Sequence, residues 1–156
     1  MPTIFSHPAV ALALRVPRRI AVAAVVLTIL PDADVAGFAF GIRYGSTFGH
    51  RGFTHSILFA AVAAAVATLI LRADRRAFAL LFICAISHGV LDAMTTGGRG
   101  IAFFSPFSNQ RYFLPWRPIR VSPIGGIDVR VLMSELRWIW LPAIALAAIP
   151  RRRARE

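Results

Sequence analysis

Lysine is missing from this chain and acidic residues are scarce: seven Asp and Glu stand against 18 basic residues, every one an arginine. A formal net charge of +11 raises nucleic-acid binding as a function class. The arginines, however, cluster beside apolar stretches rather than along one polar helix face, so no nucleic-acid partner is expected. The single cysteine, Cys84, lies within an apolar stretch. That excludes an intrachain disulfide, and no Cys-x-x-Cys pair exists for redox or zinc chemistry. A Gly-rich phosphate loop and a Gly-x-Ser-x-Gly elbow are also absent, which sets serine-hydrolase chemistry aside. The first apolar stretch is interrupted by Arg15, Pro17, Arg18 and Arg19. A cleavable signal peptide is therefore not expected, and a later segment would act as the uncleaved insertion signal.

What the chain has in abundance is apolar surface. Its hydrophobic fraction of 57% and mean hydropathy of +0.65 exceed the usual ~45–50% of soluble domains. With 156 residues, one domain spanning 1–156 is expected. The predicted fold class is all-α: an integral membrane helical bundle of four to five hydrophobic helices. These cover residues 8–14, 20–30, 53–71, 77–94 and 138–149, the last extended backwards through Val131. Residues 53–71 are the strongest transmembrane candidate, since about 20 residues cross the hydrocarbon. Residues 95–137 read as an interfacial polar and aromatic segment. Two topologies compete at Pro17, which interrupts helix at and before itself. A single kinked helix would hold His7 about 35 Å from Asp32, whereas a hairpin of two short helices would return both to one side.

Arg15, Arg18 and Arg19, then Arg72, Arg75 and Arg76, and finally Arg151, Arg152, Arg153 and Arg155 alternate with the apolar segments. The positive-inside rule puts them in the cytoplasm. The location expected is a bacterial inner membrane, multi-pass, with the opposite segment ends at the outer face. The scarce His and Asp residues collect at those ends: Ser6-His7, Leu30-Pro31-Asp32-Ala33-Asp34, Gly49-His50-Arg51-Gly52-Phe53-Thr54-His55-Ser56 and Ser87-His88-Gly89-Val90-Leu91-Asp92.

Imidazole and carboxylate are the common ligands of zinc and related metals. His88 and Asp92, four apart, share one helix face. Asp32 and Asp34 converge from a turn, and His50 and His55 bracket another. Taken singly, each is as compatible with a helix cap or a structural hydrogen bond. Together they predict a metal site, probing one or two divalent ions with zinc as the expected metal, since polar groups in membrane segments face the interior and serve function. Two metals suit phosphoester hydrolysis, with Asp32 or Asp92 placed to take a proton from water. Arg51 is the candidate contact for a substrate anion, and equally a structural ion-pair partner of Asp32 or Asp34. Asn109, Arg111, Tyr112, Trp116, Arg117 and Arg120 read as an interfacial lid or an anchoring belt.

These strings, with Pro106-Phe107, Arg111-Tyr112 and Pro115-Trp116, resemble the YdjM-like family of membrane-bound, metal-dependent hydrolases. The resemblance runs over about residues 6 to 125, and His50-Arg51-Gly52-Phe53-Thr54-His55-Ser56 is its most specific part. It implies an inner-membrane helical bundle, distantly similar to zinc-dependent phospholipase C and the single-strand nucleases of that fold. It also implies His7, Asp34, His55, His88 and Asp92 as ligands, with Asp32 and His50 next. The function expected is hydrolysis of a phosphoester in a lipid or lipid-linked anionic substrate at the bilayer. The alternatives are a metal-ion or proton-coupled transporter and a non-catalytic scaffold. Oligomeric state is not legible.

Overall fold

The computed structural model describes residues 1–123, 126 and 128–150. Among them there is no strand, only two isolated bridges, and the architecture is helical throughout. Arg151, Arg152, Arg153 and Arg155 lie outside the described residues.

The hairpin reading at Pro17 is the one realised. Helix α1 (Ala9–Ala13) ends at Leu14, Arg15 takes a left-handed φ of 50°, and the extended ψ of 142° at Pro17 launches α2 (Arg18–Ile29). The two short helices pack on each other. Pro31 follows the predicted 20–30 segment but does not end the helical path. It enters the first turn of a 3-10 helix, Leu30–Phe40, where a missing N–H costs little. The rod Arg18–Phe40 is then long and apolar enough to cross a membrane.

The strongest spanning candidate of the sequence is the one the structure shortens. Residues Phe53–His55 form a separate 3-10 turn, and the extended Ser56 (ψ 158°) caps a new helix, α3 (Ile57–Ile70), by accepting from the Phe59 N–H. At 14 residues, α3 measures about 21 Å, short of a hydrocarbon core of about 30 Å. After a tight turn comes α4 (Arg75–Ala93), N-capped by the Asp74 carboxylate. The last rod joins α5 (Val129–Glu135), a π-helical turn at Leu136–Trp140 and α6 (Leu141–Ala148). Both α4 and this rod are long and apolar enough to span.

Small residues set the packing. Ala24 of α2, Ala60 and Ala64 of α3, and Ala77, Cys84 and Ala85 of α4 make a buried seam with Ile20, Leu27 and Leu81. In lipid, where apolar burial supplies no drive, such close backbone approach is what holds helices together. A second seam packs Ala9 of α1 against Ile139 and Ala143 of the last rod, with Ile119. Outward surfaces stay apolar, with Val22 at 78% and Leu69 at 75% exposure, as lipid contact requires.

The helix ends sort into two groups. Arg19 at the start of α2 meets Asp74 at the start of α4, and the Arg15 guanidinium donates to the Ala147 carbonyl at the end of α6. The other ends carry the histidines and aspartates.

Candidate metal centre

Four side chains from three elements converge under the far end of the bundle. Asp32 comes from the 3-10 rod, His55 from the 3-10 turn before α3, and His88 and Asp92 from the last two turns of α4. Each is buried. One donor atom from each lies within 4.8 Å of all the others. His88 Nε2 and His55 Nε2 are 3.1 Å apart, and Asp32 Oδ1 is 3.3 Å from His88 Nε2 and 3.6 Å from His55 Nε2. Asp92 Oδ2 is 3.8 Å from His55 Nε2. Zinc bonds of about 2.0–2.2 Å set tetrahedrally separate their donors by roughly 3.3–3.5 Å. The Asp32, His55 and His88 donors lie close to that spacing, and Asp92 stands somewhat further out.

The local chain explains how the donors are aimed. His88 Nδ1 lies 2.7 Å from the Thr28 carbonyl, which only accepts, so Nδ1 carries the hydrogen and Nε2 turns a lone pair to the centre. That carbonyl is open because Pro31, three residues on, brings no N–H to it. Gly89, beside His88, lets α4 approach: a Cβ there would stand 2.9 Å from the His55 carbonyl. Thr28 is not among the residues singled out from the sequence, although its spacing from Pro31 marks a carbonyl left open.

Asp34 serves two histidines at once. Its Oδ1 is 2.7 Å from His50 Nδ1, and its Oδ2 is 3.3 Å from His55 Nδ1 and accepts from Thr54 Oγ1 at 2.6 Å. A second donor group, Asp34, His50 and His55, therefore adjoins the first and shares His55 with it. Thr54 donates to Asp34 Oδ2 and lies 3.0 Å from His55 Nδ1, so it bridges the two. His7, brought back by the hairpin, stacks on His88 at 3.9 Å, and its Nε2 is 3.9 Å from Asp92 Oδ1.

Arg51 is buried at 1% exposure in a left-handed conformation (φ 63°). Its Nε sits 3.1 Å from Asp92 Oδ2, and its terminal nitrogens donate to the Gly97 carbonyl and Thr95 Oγ1. The carboxylate it meets is Asp92, where the sequence suggested Asp32 or Asp34. Arg111, read as part of a lipid-facing lid, turns inward and donates to the carbonyls of Tyr44, Ser46, His50 and Arg51. It fastens the later segment over the histidine loop, helped by the Ala102 N–H on the Arg51 carbonyl.

The electrostatics ask for positive charge. Burial opposes a charged His55, but the carboxylates of Asp32, Asp34 and Asp92 outweigh it and hold its pKa up at about 9. Burial, with His88 beside it, pushes His7 down to about 3, leaving a neutral imidazole. Both oxygens of Asp32, both of Asp92 and both ring nitrogens of His7 are buried with no hydrogen-bond partner among the described residues. Buried polar atoms are very rarely left so. A divalent cation fits the donor set of Asp32, His55, His88 and Asp92, since it would satisfy an oxygen of each aspartate; His7 stacks beside that set.

A helical membrane bundle with a buried His/Asp cluster at one end is the class of protein that this fold and site define. The chain belongs to the YdjM inner membrane protein family, which it matches over residues 4–152. The inner membrane protein YbcI of Escherichia coli (strain K12) is 40% identical over 164 residues, spanning 94% of this chain and 95% of that one. No solved structure matches the chain. The family, the relative and three candidate spans give a multi-pass protein of the inner membrane. Neither name states a reaction.

Proposed function

We propose that this protein is a membrane-embedded, metal-dependent hydrolase acting on a phosphoester of a lipid or lipid-linked substrate. The observation that carries it is the convergence of Asp32, His55, His88 and Asp92, with the aspartate oxygens buried and without hydrogen-bond partners among the described residues. These four would hold the metal, zinc by donor type, with His7 against them. Asp34 and His50 would orient His55 or take a second ion. A bound divalent ion would supply Lewis acidity, lowering the pKa of water and neutralising charge on a phosphoryl group.

The chain's own residues supply the rest. Asp34 and the Thr28 carbonyl hold the two central imidazoles in orientation. Asp32, at the rim of the cluster and 8% exposed where Asp92 is fully buried, is the better placed carboxylate to accept a proton from attacking water. Arg51, beside Asp92, places a fixed positive charge at the cluster; a phosphoryl oxygen would have to share its guanidinium with Asp92. Tyr44, His50 and Arg51 border a cavity of about 200 Å³ on the side of Arg51. A transporter would need ionisable groups at several depths. Between α2, α3 and α4 the buried seam away from the cluster is apolar, which favours the enzyme. By the positive-inside rule the cluster faces outward.

The test is metal analysis of purified protein together with phosphate or headgroup release from phospholipid vesicles. Wild type should carry stoichiometric metal and turn over lipid; His88→Ala and Asp92→Ala should lose both. Unchanged metal content in both variants ends the assignment, and metal without turnover on any phosphoester leaves a binding protein.

A further inference from the structure

Outside the His/Asp cluster, a wide recess among the described residues carries three guanidiniums. Arg120, Arg130 and Arg137 line a groove of about 900 Å³ between the later segment and the last rod, with Thr96, Ser134 and Trp138. All three arginines are exposed, and none forms an ion pair among the described residues. The two acidic residues nearest in sequence are otherwise engaged. Asp128 accepts from the Arg130 N–H at the helix cap. Glu135 points inward, where Thr3 and Ser6 hydroxyls donate to it. The groove is a concentration of positive charge that no described residue neutralises.

Its place in the fold says what does. Arg137 lies seven residues beyond Arg130 in a rod, Val129–Ala148, that is long and apolar enough to span the membrane. That is about 10 Å further along the axis, below the level where the rod begins. An exposed guanidinium at such a depth is costly unless it reaches an anion or draws a headgroup towards it. The rod is widened at this point by the π-helical turn Leu136–Trp140, a distortion that tends to occur at functional positions. Arg137 is laid over the Trp138 ring at 4.9 Å, an aromatic suited to headgroup depth. Met133, Pro118 and Val121 add apolar wall to the same groove.

We propose that this groove seats the phosphate headgroup of an anionic phospholipid, held by Arg120, Arg130 and Arg137, with its glycerol and upper acyl carbons on the apolar wall. Guanidiniums pair well with phosphate oxygens, and a lipid supplies both the anion and the apolar remainder that the groove accommodates. The site is separate from the metal centre. Between them runs the backbone pairing in which the Thr96 N–H donates to the Ile119 carbonyl and the Val121 N–H to Thr96 Oγ1. Lipid seating here does not depend on the metal.

Native mass spectrometry of the full chain in detergent tests it, with phosphatidylglycerol, phosphatidylcholine and inorganic phosphate as probes. Wild type should retain phosphatidylglycerol over phosphatidylcholine. The triple variant Arg120→Gln, Arg130→Gln, Arg137→Gln should bind at least ~10-fold less phosphatidylglycerol. The control Arg75→Gln, Arg76→Gln, at the other end of the bundle, should stay within about two-fold of wild type. The triple Arg→Lys variant keeps the charge and guards against misfolding; it should retain most of the binding. Equal retention of the two lipids, an equal loss in the control, or displacement of the lipid by equimolar inorganic phosphate overturns the proposal.

Discussion

Two buried carboxylate sites, both at the end of the bundle opposite the Arg19–Asp74 pair, differ in how they are satisfied. Glu135 is 2% exposed, and the Thr3 backbone N–H, the Thr3 hydroxyl and the Ser6 hydroxyl all donate to it. It is a closed network that ties the amino-terminal segment to the last rod. Asp32 and Asp92 are also buried, at 8% and 0% exposure, yet their four oxygens have no hydrogen-bond partner among the described residues, and only Asp92 Oδ2 faces a guanidinium, that of Arg51. The same functional group is self-sufficient in one place and incomplete in the other. A buried anion costs several kcal/mol unless paired; Arg51 meets one oxygen of Asp92, and the remaining oxygens are the ones a further cation would satisfy.

The largest effect expected is a difference between Asp32→Asn and Glu135→Gln. Asp32→Asn should strip the protein of metal and remove the stabilisation that metal gives. For a ligand present at 100-fold its Kd this is about 2.7 kcal/mol, or roughly 5–10 °C in melting temperature for a chain this long. With chelator present, Asp32→Asn should melt at or above wild type, because it removes a buried anion that then has no metal partner. Glu135→Gln should keep its metal and lose about 1–3 kcal/mol with or without chelator, since it breaks charge-assisted hydrogen bonds only. Thermal melts with and without chelator read both. If Glu135→Gln lost metal, or Asp32→Asn melted low in chelator as well, the two carboxylates would not differ in kind.

A smaller effect sharpens the role of Asp34. Asp34→Asn leaves the four central donors in place but weakens the hold on His50 and His55. Loss of such an orienting carboxylate typically costs 10–100-fold in metal affinity, against near-complete loss for a direct ligand. Metal titration of the variant measures it. Affinity in both proteins should fall as pH is lowered, because protons compete for the imidazole nitrogens. A loss as deep as that of His88→Ala would make Asp34 a ligand in its own right.

Much of this was legible in the chain. The collection of His7, Asp32, Asp34, His50, His55, His88 and Asp92 at one end follows from their positions at the ends of apolar segments, because helix direction alternates. The i, i+4 spacing of His88 and Asp92 put both on one face of α4. The choice between hairpin and kinked helix at Pro17 was open, since proline breaks a helix without saying how far the chain then turns. What periodicity does not encode is backbone partnership. The Thr28 carbonyl under His88 and the Arg111 grip on four loop carbonyls join residues far apart in sequence through groups that every residue carries. The shortening of α3 was hidden for a related reason: Phe53 and Thr54 are apolar or small, and only the extended backbone at Ser56 separates the turn from the helix.

The smallest effect belongs to the other end of the bundle, where the Arg19–Asp74 pair spans 3.1 Å with side chains 63% and 59% exposed. Solvent and salt screen such a pair, and holding two mobile side chains together offsets most of the attraction. Arg19→Gln should leave the melting temperature and metal content unchanged within error, while Asp74 is kept intact because it also caps α4 through the Ala77 N–H. Lipid changes one part of this expectation. Arg19 stands with Arg18, Arg72, Arg75 and Arg76 at the end assigned to the cytoplasm, so its charge adds to the bias that sets topology. Removing one of several arginines should not invert the protein, and reporter fusions at either terminus would read orientation directly. An inverted or mixed topology from this one substitution would show that Arg19 matters through the membrane rather than through Asp74, and would make the exposed pair more consequential than its geometry allows.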